Sequence, residues 1–147
     1  MGDMQTKSPK KAVQKTWSNR FAAKRYPKRV TLDADFGGIP AGSTLFVGTP
    51  QILQTYIHKI PIGATRTIQR LRRDIARANH CQAMCPVSTA IFLRILAEAA
   101  WDDLHAGKGV HEITPFWRVI EPGSVIARKL RATDVWLRNQ RQAEIRA

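Results

Sequence analysis

Residues 60–67 read IPIGATRT, a break of proline and glycine between two amphipathic runs, and where this break falls decides how the chain divides into helices. Pro61 lacks the N–H that a continuing helix needs, and Gly63 admits backbone conformations closed to other residues. Upstream, Thr49 and Pro50 supply an N-cap and a first helical position. Ile52, Leu53, Tyr56, Ile57 and Ile60 then form one apolar stripe. Downstream, Ile68, Leu71, Ile75 and Ala78 predict a second helix over 67–79. Arg66, Arg70, Arg73 and Arg77 recur at spacings of four, three and four, which stacks them on the opposite face as a ridge turned to solvent.

A loop, HCQAMCP, leads from there to a third helix expected over 88–105, capped by Ser88 or Thr89 and ended by Gly107 and Gly109. This run is apolar nearly all round through Ile91, Phe92, Leu93, Ile95 and Leu96, as a central buried helix would be. EITPFWRVIEPG follows at 112–123, with FWRVI expected as a short strand and EPGS as a turn, and two last helices are expected at about 124–131 and 133–146. On the N-terminal side, DFGGIPAGSTLFVGTP offers a single plausible strand, STLFVG. Gly37 and Gly38 form no phosphate loop, because no Lys-Ser/Thr follows them. The expected organisation is a basic, largely irregular arm over 1–44, with a short helix near 12–24, and a mainly α domain with a small β element over 45–147.

Charge narrows the partners. The 147 residues carry 24 Lys+Arg against 11 Asp+Glu, a net +13 that favours polyanions. Residues 1–30 hold nine of the basic residues and one Asp, leaving 15 basic against 10 acidic on the rest. The arm is therefore strongly basic and the body mildly so. No run approaches the roughly 18 apolar residues of a membrane span, and the N-terminus lacks a signal-peptide core, so no membrane partner is expected. Cys81 and Cys85 are too few for a secreted disulfide framework. A cytoplasmic protein with free thiols is expected.

The order helix, IPIGATRT, helix, loop, CP opening a third helix, then PFWRVI at 115–120 resembles the DNA-binding domain of alkylguanine-DNA alkyltransferases. The family signature reads Ile-Pro-x-Gly-x-x-x-Thr ahead of one helix and Pro-Cys-His-Arg-Val at the active site. The match covers about residues 49–130, and it implies a winged helix-turn-helix-like fold and DNA as partner, an alkylated duplex included. Phe116 stands where the family has its acceptor cysteine, and Trp117 where it has the histidine that helps form the thiolate. Neither ring can supply a thiolate nucleophile, so alkyl transfer by the family mechanism is excluded at this position. Pro115 and Arg118 match the residues that shape the turn and hold it from behind. The pattern resembles the alkyltransferase-like proteins, which bind alkylated bases without repairing them. The arginine and tyrosine with which the family turns a nucleotide out of the duplex map near Ala90 and onto Ile68, and neither residue can do that job.

These residues define the candidate site. Pro115, Phe116, Trp117 and Arg118 form the former active-site pocket; the two rings either pack into the core or line a wall for a flat ligand. The expectation is a closed site, with Phe116 filling the pocket and Trp117 packing inward behind it. Arg66, Arg70, Arg73 and Arg77, with Lys10, Lys11 and Arg118, are candidate DNA contacts, chiefly to phosphates. For Arg118, a structural role as donor to nearby carbonyls is favoured over a phosphate contact. One Cys-x-x-x-Cys without a second pair makes no zinc site, and neither a metal nor a cofactor is expected. Cys85 at a helix start could be a displaced nucleophile, but no base is placed beside it by the sequence. The competing reading is a regulatory or protein-interaction module that kept the fold and lost the lesion pocket.

Overall fold

The computed structural model describes residues 16–147. Helix α1 (Trp17–Ala22) is followed by strands β1 (Lys28–Thr31) and β2 (Thr44–Val47), helix α2 (Pro50–His58) and helix α3 (Ile68–Ala78). The two-residue strand β3 (Ala83–Met84), the 20-residue helix α4 (Pro86–His105), three 3-10 turns and helix α5 (Asp134–Arg146) complete it. The described residues are thus mainly helical, with one small sheet.

Capping chemistry sets the helix starts. Thr49, Thr67 and Thr133 each stand in extended backbone and accept an N–H of the first turn, from Ile52, Arg70 and Trp136 respectively. Helix α4 departs from this rule. Pro86 occupies its first turn, so the helix begins two residues before the expected Ser88, and Cys85 stands at the cap without a side-chain bond. Thr89 is consequently buried inside the helix and its hydroxyl donates back to the Cys85 carbonyl at 2.6 Å. Eight of the residues of α4 are buried, which is the central position its composition predicts.

The sheet has the order β1-β2-β3, with β1 antiparallel to β2 (Lys28 opposite Val47) and β3 parallel to β2 (Phe46 opposite Met84). Two expectations change here. Residues 16–44 hold the short helix expected there but do not stand apart as an arm: β1 pairs along its length with β2, and α1 lies on α4, with Arg94 over the Trp17 ring at 5.2 Å and, after α1, Arg25 over Phe92 at 5.1 Å. The folded unit therefore extends well before residue 45. Likewise FWRVI is no strand, because Phe116–Arg118 is a 3-10 turn closed by Val119 N–H to the Phe116 carbonyl. The expected helix over 124–131 shrinks to a turn that Ser124 starts and a 3-10 segment at Ala127–Lys129, after which Leu130 is extended.

One apolar cluster unites Phe46, Leu53, Ile57, Leu71, Ile75, Leu93, Leu96, Phe116, Val119, Ile120 and Leu137, so every helix from α2 to α5 contributes to a shared core. Gly63, at φ +88°, turns the IPIG segment beneath α5, where a Cβ would lie 3.4 Å from the Glu144 carbonyl oxygen. A side chain at this position would be strained by that backbone conformation.

Candidate nucleic-acid interface

The predicted ridge is present on α3. Leu71 and Ile75 are buried, and Arg70, Arg73 and Arg77 are exposed on the side away from them; Arg66, just before the cap, is half-buried. The one carboxylate among them is Asp74, whose oxygens lie 3.5 Å from Arg70 Nε and 3.8 Å from Arg73 Nε. Tyr56 on α2 donates its hydroxyl to the same carboxylate at 2.6 Å. That bond, with the neighbouring arginines, outweighs partial burial and holds Asp74 below the ordinary carboxylate range. Asp74 therefore stays charged, and Arg70 and Arg73 share its one negative charge. Arg77 has no carboxylate within ion-pair distance among the described residues.

Burial first, and Asp74 second, push the Tyr56 phenol up to about 12. A group that holds its proton more firmly when folded stabilises the fold fully below the unfolded phenol value of about 10 and loses that contribution as pH rises through its folded value. Alkaline absorbance titration is expected to show a tyrosine transition near 12 that is missing from Tyr56→Phe. Its persistence in that variant would show that Tyr56 does not carry it.

Arg29 joins the basic surface from β1. Its Nε donates to the carbonyl of Asn79, the C-cap of α3, at 2.8 Å. The arginine is thereby fixed at the C-terminal end of the ridge helix. Nothing in the sequence signals this pairing, because the two residues are 50 positions apart.

Both rings of the turn at residues 115–118 are buried. Phe116 is fully buried and Trp117 is 3% exposed. Phe116 stacks on Trp136 of α5 with ring centroids 5.5 Å apart and planes at 15°, while Trp117 meets both rings edge-on at 5.6 and 5.7 Å. Trp101 of α4 meets Trp136 edge-on at 5.2 Å. The rings thus pack against one another, and Trp117, with Pro115 and Arg118, also lines a groove of about 760 Å³ that Phe116 does not border.

Arg118 does not belong with the exposed contacts. Its Nε and Nη2 fork onto the Glu144 carboxylate at 2.9 and 2.7 Å, and Nη1 donates to the Ile60 carbonyl at 2.9 Å. Its side chain is 10% exposed. Its own carbonyl accepts the Arg66 N–H at 2.8 Å, so one residue ties IPIGATRT to PFWRVI and both to α5. Burial works to raise the Glu144 carboxyl, but Arg118 and the Gly63 N–H hold it below its ordinary value. The Trp117 indole N–H lies close enough to favour the carboxylate yet is buried outside hydrogen-bonding geometry.

Beside this turn lies a cleft of about 250 Å³ whose lining includes Arg66, Thr67, Ile68, Glu121, Ser124 and Arg141. Arg141 donates Nε to the Trp117 carbonyl at 2.7 Å and has no ion-pair partner among the described residues. Burial holds its pKa below the usual guanidinium value, and Glu121 opposes that shift only in part. The sequence reading missed Arg141, whose place in the cleft depends on where α5 packs. Ile68, where the resemblance places a tyrosine, is half-buried here.

Lys10 and Lys11 lie outside the described residues. Cys85 is 8% exposed and leaves no face for a bulky alkylated base. Among the described residues, no group of three or more His, Cys, Asp and Glu side chains is placed to hold a metal ion, and no helix is long and apolar enough to cross a membrane. No family model, characterised protein or solved structure matches this chain.

Proposed function

We propose that this chain is a non-enzymatic DNA-binding protein of the alkyltransferase-like type, built on a winged helix-turn-helix arrangement and reading the phosphate backbone rather than a lesion. The carrying observation is the set of arginines exposed on one face of α3, with Asp74 as the one carboxylate paired to them among the described residues. Guanidiniums left this close together repel one another until an anion lies between them, and a phosphate backbone supplies anions at regular spacing. Arg29 at the end of the same helix adds a further cation. In the neighbouring cleft, Arg66 and the partly desolvated Arg141 suit a single phosphate.

The burial of Phe116 favours binding without lesion recognition. A ring stacked on Trp136 and shut off from solvent cannot receive a base unless the core opens. Equal affinity for plain and alkylguanine duplexes is therefore expected.

Salt titration of duplex binding tests this reading. Four arginines, each neutralising one phosphate, give a log-log slope of roughly −3 to −4, at about 0.9 per phosphate. The pair Arg73→Ala/Arg77→Ala should flatten the slope by about 2 while leaving the fold intact. A flat salt response in the wild type, or an unchanged slope in the pair, defeats the proposal. A strong preference for the alkylated duplex would instead show that the turn opens to a flipped base.

A further inference from the structure

The basic surface does not end with α3. Arg29, whose Nε donates to the Asn79 carbonyl at 2.8 Å, carries it from the C-terminal end of the ridge helix onto β1. Lys28 stands exposed next to Arg29, and Lys24 stands exposed just ahead of the strand. None of the three has a carboxylate within ion-pair distance among the described residues. Because β1 is the edge of the sheet, no further strand among these residues covers it.

Tyr26 stands among these cations. It is 72% exposed, and the Lys24 ammonium lies 5.7 Å from its ring centroid. Every other described aromatic except Phe36 is buried or half-buried. The core therefore makes no use of this ring. Pro27 holds the residue before it in extended backbone, and three Cα steps of about 3.8 Å keep Tyr26 within roughly 11 Å of Arg29. That is a reach of about three nucleotides, at roughly 3.4 Å each along one strand.

Phosphates need only cations, and a phenol ring adds affinity only where a flat face is offered to it. A paired base within a duplex is covered above and below by its neighbours and presents its edges to the grooves. An unpaired base presents its face, and stacking on an aromatic side chain tolerates any base. We infer that Tyr26 stacks an unpaired base of a strand whose phosphates follow Arg70, Arg73, Arg77 and Arg29, so that single-stranded DNA, free or as an extension of a duplex, is the preferred form. The inference rests on the nucleic-acid reading of the α3 ridge and adds to it the base contact that the ridge lacks.

Fluorescence anisotropy on the full chain compares three labelled DNAs at one low salt concentration: an oligothymidine of about 15 nucleotides, a blunt duplex, and the same duplex with a thymidine extension. The single strand and the extended duplex are expected to bind more tightly than the blunt duplex. Tyr26→Ala, at an exposed position and checked for folding by circular dichroism, should weaken both by about tenfold and leave the blunt duplex unchanged. Tyr26→Phe and Tyr26→Trp should retain the wild-type affinities, because each keeps a ring. The Arg73→Ala/Arg77→Ala pair should weaken all three DNAs. Salt-dependent binding of all three that Tyr26→Ala leaves unchanged overturns the stacking and spares the ridge. Equal losses on blunt and single-stranded DNA in Tyr26→Ala, or a loss in Tyr26→Phe as large as in Tyr26→Ala, also overturn it. Absence of salt-dependent binding to any of the three removes the ridge reading, and the inference falls with it. Binding to vesicles of anionic lipid that Tyr26→Ala abolishes while DNA affinities hold would assign the ring to a membrane surface instead, and equally overturns the inference.

Discussion

Phe116→Ala is expected to lower the folding stability by about 3–5 kcal/mol, the range for truncating a fully buried aromatic, and to leave duplex affinity unchanged among the molecules that remain folded. The side chain is completely buried and lies between two tryptophans, stacked on one and edge-on to the other. Its removal forfeits the transfer of the ring from water and leaves a cavity that cannot collapse, because Trp136 is also held by Trp101 and Trp117. Phe116→Leu keeps most of the apolar volume and should cost less than half as much. The measurement is chemical denaturation at constant m-value, with duplex binding taken at a temperature where the variant is folded. A variant that melts like the wild type but loses affinity for alkylated DNA would make the ring a stacking wall and would end the closed-site reading.

The parts of this fold visible in the sequence are those written by local rules. Thr49-Pro50 and Thr67 announce α2 and α3 because caps act within four residues, and the stripes of Leu53, Ile57, Leu71 and Ile75 repeat at the helical period. The misreadings have a common physical origin. Val119 and Ile120 are β-branched and look like a strand, yet no strand edge lies beside them, and buried neighbours on every side accommodate a turn as readily. Strand β1 escaped for the opposite reason. Lys28–Thr31 is an edge strand with one partly buried side chain, so its charge hides its pairing. At the candidate site, the arginine ridge was legible as a periodicity. The contacts that assign Arg118 and Arg141 were not, because each reaches across 24 residues or more to a partner that only tertiary packing supplies.

The residue that joins the two motif segments should also be the most sensitive charged position. Arg118→Ala is expected to destabilise the fold by about 3–5 kcal/mol, because it leaves the Glu144 carboxylate and the Ile60 carbonyl in partial burial without their donors. Arg118→Lys should recover only part of this, since an ammonium cannot fork onto both oxygens and still reach Ile60. Acid titration separates the ion pair from simple packing. Glu144 is held below its unfolded value, so its contribution is complete above the ordinary carboxylate range and is lost as pH falls through the lower folded value. The wild type should therefore lose stability on that acid limb, and Glu144→Gln and Arg118→Ala should each flatten it. In the double variant Arg118→Met/Glu144→Leu, apolar groups replace the pair, and much of the loss should return because no charge remains stranded. If Arg118→Ala melted at the wild-type temperature and instead reduced the salt slope of duplex binding, the guanidinium would be a phosphate contact. The coupling between IPIGATRT and PFWRVI would then have to rest on the backbone bond from Arg66 to Arg118 alone.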